Sequence, residues 1–175
     1  MTPEFSRPFD LRQLGSAPVT LSANESERAA LAKRFGIVSI ERLEAVLTLT
    51  PEDTPRGKAV LATGTLSARW VQSCAVSGED LPAGTDEPVT MRFVPPGEDH
   101  APDEEIELSD CDCDEIEYEG TSFDLGEAVA QSMALAIDPF ATGPDADRAR
   151  TEAGIVSETA SGPFAALAGL KLKKD

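Results

Sequence analysis

Residues able to do metal, nucleophilic or redox chemistry are few in this chain: Cys74, Cys111, Cys113 and a single histidine, His100. Together they would supply the four ligands of a structural zinc ion, which prefers thiolate and imidazole. Their spacing argues otherwise. Zinc knuckles present Cys-x2-Cys on a tight turn, whereas Cys74-Ala75-Val76-Ser77-Gly78 has Ser77 where the second thiolate belongs, and Cys111-x-Cys113 lies in an acidic run. No metal ligand and no cofactor is therefore assigned, and reduced thiols are the expectation, with Cys74 packed beside a turn. His100 sits in a Pro/Gly/acid stretch with no nucleophile elbow around it. Gly64 and Gly78 are isolated, so no phosphate-cradling loop opens a helix. Carboxylates are numerous, but they crowd a segment too polar to shift their acidity by burial. No catalytic residue is assigned, and the expectation is that the chain is not an enzyme.

Charge gives the next constraint. Fifteen Lys and Arg stand against 32 Asp and Glu, a net of −17, which disfavours a general binder of polyanions such as DNA. The imbalance is local: residues 1–78 carry net +1 and residues 79–175 carry net −18. Residues 98–119 alone hold 12 acids and no Lys or Arg, and mutual repulsion predicts an extended, solvated acidic loop. The same loop would attract a cationic partner and repel RNA phosphates. With one Trp, one Tyr and no Arg-rich stripe, broad RNA readout is not expected. The opening residues resemble no secretory signal, and no run of about 18 apolar residues exists, so a cytoplasmic protein without a membrane partner is expected.

The elements that would position these residues follow from periodicity. Phe5–Leu11 suits a short edge strand despite Pro8. Ser22-x-x-Glu25 and Asn24-x-x-Glu27 both have the form of a capping box, and Gly36 supplies a stop, predicting a helix near 24–35. Leu43, Ala45, Leu47 and Leu49 alternate with polar residues and end at Pro51. Val60, Ala62, Leu66, Ala68 and Trp70 form a second alternation, in which Gly64 marks a bulge or bend. Val89, Met91 and Phe93 form a third, preceded by a turn-rich stretch from Ser73 to Pro88. Ile116 and Tyr118 add an edge strand. Asp124 and Glu127 then open a helix that should end at Asp138, before Pro139. The fold class is α+β: an antiparallel sheet, open or closed into a barrel, with a helix near 124–138 packed on it. Residues 1–140 form one domain, 141–162 a linker, and 163–175 a short amphipathic basic tail.

Three stretches together resemble the YceD family of large ribosomal RNA subunit accumulation proteins, most closely its alphaproteobacterial branch. The first is Gly64-x-Leu66-x-Ala68, continuing through Gln72-Ser73-Cys74-Ala75-Val76-Ser77-Gly78-Glu79-Asp80-Leu81 to Phe93. Asp124-Leu125-Gly126-Glu127 and its continuation to Asp138-Pro139-Phe140 make the second, and Pro163-Phe164-Ala165-Ala166-Leu167 with Leu170-Lys171 the third. Many relatives carry Cys-x2-Cys at the first; this chain keeps Cys74 and replaces the other by Ser77. The resemblance implies ribosome biogenesis without implying catalysis. It points to a factor supporting accumulation or maturation of large-subunit (23S) rRNA by binding precursor large subunits, through rRNA, ribosomal protein or both. The alternative is an acidic holding chaperone for a basic ribosomal protein. Two partner-binding surfaces are expected: the turn carrying Gln72, Cys74, Val76, Glu79 and Leu81, and the tail carrying Phe164, Leu167, Leu170, Lys171, Lys173 and Lys174. For each, the competing reading is local structure: the turn plugs its own hairpin, and the tail seals its own core. The oligomeric state is left open.

Overall fold

Two long strands, β3 (Ser39–Thr54) and β4 (Gly57–Ser73), organise the fold as an antiparallel hairpin. The computed structural model describes residues 3–97 and 115–155. These fall into two units, Met1–Gln72 with Pro82–Asp138, and Ser73–Leu81 with Pro139–Asp175.

In the first unit, β2 (Val19–Ser22) flanks β3, β5 (Asp80–Val94) flanks β4, and β6 (Glu115–Glu117) runs parallel beside the end of β5. The sheet is thus mixed, in the order β2-β3-β4-β5-β6, and it stays open where a barrel was the variant considered. A separate two-stranded sheet pairs β1 (Pro8–Asp10) with β7 (Ser122–Asp124). Phe5, expected at the start of that first strand, is instead a fully buried plug ahead of it. The helices are α1 (Glu25–Phe35), α2 (Leu125–Ala136) and, in the second unit, α3 (Ala146–Glu152).

Both alternations expected for the hairpin are realised. Leu43, Ala45, Leu47 and Leu49 are buried on one face of β3, and Ala62, Leu66, Ala68 and Trp70 on the matching face of β4. Met91 and Phe93 extend that apolar surface onto β5, and Leu31 of α1 with Leu125, Val129 and Met133 of α2 covers it. Phe93 stacks on Phe123 at 4.3 Å between ring centres, which adds about 0.5–1.5 kcal/mol beyond the area buried.

Helix α1 begins as expected. Asn24 accepts the Glu27 N–H and the Glu27 carboxylate accepts the Asn24 N–H, while Gly36 ends the helix at φ +68°. Helix α2 is capped by Asp124, which accepts the Glu127 N–H at 3.0 Å, but Glu127 does not reciprocate. Its carboxylate is taken by Arg34 of α1, which also holds Glu4. Arg34, then the Gln131 amide, holds the Glu127 acid below its ordinary range, against desolvation.

Two departures from the expected strand limits, which take in three prolines, share one cause. β3 continues through Pro51 to Thr54, and β5 begins at Asp80, running through Pro82 and Pro88. In a strand, the N–H and C=O of one residue point to the same side. The Leu43 C=O accepts the Ala23 N–H on the β2 side of β3. Pro51 shares Leu43's parity, so its missing N–H faces that same edge, which β2 leaves free beyond Leu47. Likewise the Val94 C=O accepts the Tyr118 N–H on the β6 side, and Pro82 and Pro88 share its parity. β6 pairs only with Arg92–Val94. Each proline therefore spares the ladder and costs no hydrogen bond.

The irregularity in the hairpin lies at Glu41, between the pairs Ile40–Trp70 and Arg42–Arg69, and not at Gly64, which stays in register opposite Leu47. Glycine is needed at 64 for another reason. A Cβ there would lie 1.9 Å from the Val46 carbonyl oxygen and 2.9 Å from the Leu47 Cα.

Candidate partner-binding site

The expected turn sits between the end of β4 and the start of β5. Gln72 belongs to the first unit and is 5% exposed. Its amide oxygen accepts the Trp70 indole N–H at 2.7 Å, and its amide nitrogen donates to the Asp138 carbonyl at 2.6 Å. This residue fastens the chain after α2 to β4 and offers almost nothing to a partner.

The remaining turn residues form the second unit together with residues from Pro139 onward. The Cys74 N–H donates to the Glu79 carbonyl at 2.7 Å and the Gly78 N–H to the Cys74 carbonyl at 3.1 Å, with Gly78 at φ +74°. That closes the knuckle the sequence spelled out. Cys74 is 4% exposed, and donors surround its Sγ. The Ser77 hydroxyl, the Gly143 N–H at 3.4 Å and the Ser77 N–H at 3.3 Å, with the Val76 N–H, outweigh desolvation and bring the thiol down to about 6. The Ser77 hydroxyl has one proton and two acceptors, since the Glu79 carboxylate also lies 3.0 Å away.

Glu79 works inward as well. Its Oε1 accepts the Asp145 N–H at 3.1 Å, and the Ala75 N–H donates to the Ala141 carbonyl at 2.9 Å. Gly143 is tight against this turn: a Cβ there would lie 2.4 Å from Glu79 Oε1 and 2.5 Å from Leu81 Cδ2. The stretch expected as a linker from 141 thus has its first residues held by the knuckle, and then forms α3. Of the five turn candidates, Cys74, Glu79 and Gln72 are engaged in internal contacts, Leu81 is half-buried, and Val76 alone is exposed, at 37%. The tail candidates Phe164, Leu167, Leu170, Lys171, Lys173 and Lys174 lie outside the described residues, as do His100, Cys111, Cys113 and most of the acidic stretch 98–119.

The knuckle holds a single soft ligand, and among the described residues no three His, Cys, Asp or Glu side chains converge. Chemically it can stabilise a sulfur anion and hold a short chain segment. Gly143 and Asp145 contribute through main-chain N–H groups, so no side-chain type announced them. The only signal was Thr142-Gly143-Pro144-Asp145, a turn string that any loop can carry.

The first unit has concave surface away from the expected residues. One cleft of about 520 Å³ lies between α1 and the start of β3, with Arg28, Lys33 and Val38 at its rim. Two others, of about 240 and 400 Å³, adjoin along α2.

A family model described as large ribosomal RNA subunit accumulation protein YceD matches residues 62–171, which include most of β4, the knuckle, β5, α2 and α3. No curated protein matches the chain. No solved structure matches it.

Proposed function

We infer the function from one premise: this chain belongs to the YceD family of large ribosomal RNA subunit accumulation proteins. On that premise it is a ribosome-biogenesis factor of the cytoplasm that supports accumulation or maturation of 23S rRNA by binding precursor large subunits, and it catalyses no reaction. The family match carries this reading. The uses found for the chemically capable side chains support it: Gln72, Cys74 and Glu79 are spent on internal hydrogen bonds, and Asp124, Glu27 and Glu127 on caps and ion pairs. Helices and strands so fixed suit a docking body.

A second reading, the acidic holding chaperone, is favoured by the charge division between residues 1–78 and 79–175. A cationic protein would be drawn to the second part.

Tagged full-length chain, recovered by gentle lysis and run on a sucrose gradient, separates the two. The first reading expects it in fractions holding precursor large subunits, with 23S rRNA falling relative to 16S in a deletion strain. Migration with one free ribosomal protein, lost when the acids of 98–119 are neutralised, would instead favour the chaperone. An unchanged rRNA ratio in the deletion strain would overturn both.

A further inference from the structure

Side chains that alternate with the core residues of β3, β4 and β5 make the outer face of the sheet. At one end of it Arg42 of β3 stands directly opposite Arg69 of β4, a placing of like charges that disfavours the pairing. Each guanidinium has one carboxylate: Arg42 donates to Glu44 at 2.6 Å, and Arg69 to Asp86. Arg69 is also laid flat, its Nη1 donating to the carbonyls of Ala68 and Thr85. Gly84 leaves room for it, since a Cβ there would lie 2.5 Å from Arg69 Cδ. Arg42 Nε and Nη1 and Arg69 Nε keep donors with no acceptor among the described residues. The two side chains are 56% and 47% exposed.

Hydroxyl groups continue the face beyond this pair. Thr65 stands opposite Val46, and Thr48 opposite Thr63. Thr48 and Thr65 are exposed, and none of the three threonines has a side-chain hydrogen bond among the described residues. Further along, Arg92 pairs with Glu52 at 3.3 Å.

The face is therefore electrically balanced in a chain of net −17, with Glu44, Glu52 and Asp86 each matched by an arginine. β3 and β4 belong to residues 1–78, whose net charge is +1. A phosphate reaching Arg42 and Arg69 meets no unmatched carboxylate from these strands' outer positions. No aromatic side chain stands at those positions either, because Trp70 and Phe93 are buried in the core. Unpaired bases thus find nothing to stack on. Guanidinium and hydroxyl donors suit phosphate and sugar instead. An A-form RNA helix presents both across its wide, shallow minor groove, where the 2′-hydroxyls lie.

We propose that the outer face of β3 and β4 docks on duplex RNA, with Arg42 and Arg69 on backbone phosphates and Thr48, Thr63 and Thr65 on ribose 2′-hydroxyls. The inference rests on the preceding reading in one respect: the rRNA of the precursor large subunit is the source of such helices.

Four probes are titrated against the full chain: a short RNA duplex, the DNA duplex of the same sequence, one RNA strand alone, and a polyglutamate peptide. The RNA duplex should bind at least tenfold more tightly than each of the others. Arg42→Gln, which removes a side chain bonded only to Glu44 among the described residues, should weaken it at least fivefold. The same change should reduce the slope of log K against log salt by about 1. Thr63→Val with Thr65→Val keeps β-branched residues in the strand. That double variant should weaken RNA-duplex binding at least fivefold and leave DNA-duplex binding unchanged. Equal affinity for the two duplexes, an unaltered affinity or slope in Arg42→Gln, equal losses for both duplexes in the threonine variant, or tighter binding of the single strand or of polyglutamate would each overturn the proposal. A chain that ignores the RNA duplex yet sediments with precursor subunits sinks this inference alone; duplex binding by a chain absent from the precursor fractions sinks the functional reading alone.

Discussion

Replacing Gln72 by leucine tests whether the buried amide is structural. The change is nearly isosteric, so it opens little cavity and isolates the polar term. Trp70 is 3% exposed, and its indole N–H now donates to Gln72 at 2.7 Å. Stranding such a donor costs about 1–3 kcal/mol, and loss of the bond to the Asp138 carbonyl adds about 1 kcal/mol. Burying leucine in place of an amide returns about 1 kcal/mol. Gln72→Leu should therefore destabilise by about 1–3 kcal/mol in urea denaturation, lowering Tm by about 2–4 °C per kcal/mol. The sharper measure is the cycle with Trp70→Phe, which removes the donor itself. With both partners gone nothing is stranded, so the double variant should be about 1–2 kcal/mol more stable than the sum of the single losses implies. Additivity within about 0.5 kcal/mol would refute the reasoning and return Gln72 to the candidates for partner contact.

Gly64→Ala should cost about 3 kcal/mol or more, because main-chain atoms of Val46 and Leu47 cannot yield, whereas Gly15→Ala, which meets nothing within 4 Å, should stay within about 0.5 kcal/mol. Equal Tm values for the two variants would refute the close approach. In a Cys111→Ser, Cys113→Ser background, thiolate absorbance near 240 nm should titrate at about 6 for Cys74, and Ser77→Ala should raise that midpoint. Because the folded value lies below the ordinary thiol's 9, the thiolate's contribution to stability is complete above pH 9, declines as pH falls from 9 to 6, and is gone below 6. A midpoint near 9 would show that the donors do not act on the sulfur.

Local signals located most of the main elements. The Asn24 box, the alternations of β3 and β4, and the Asp124 cap each depend on residues a few positions apart, which a sequence displays directly. The limits of β3 and β5 are hidden because proline reads locally as a stop. Whether proline is tolerated in a strand depends on which edge its nitrogen faces and on how far the neighbouring strand extends, and both are non-local. β2 and β7 are too short for a period to emerge, and their partners lie about 25 and 114 residues away. The candidate turn was found as a shape, since Gly78 and the Cys74 spacing encode a knuckle. Its inward use was not visible, because the groups that meet Cys74 and Glu79 are the main-chain amides of Gly143 and Asp145.

The pairing of Pro8–Asp10 with Ser122–Asp124 has a consequence for biosynthesis. Residues 8–10 must wait for residues 122–124: at about 5–20 residues per second, roughly 6–23 s separate translation of Phe9 from that of Phe123. Meanwhile β2 to β4 can form behind the exit tunnel with the seats of Phe5 and α2 uncovered, an interval in which a nascent chain holds exposed apolar surface. Stalling before Leu125 should leave that surface open to chaperones, and release of the stall should close it.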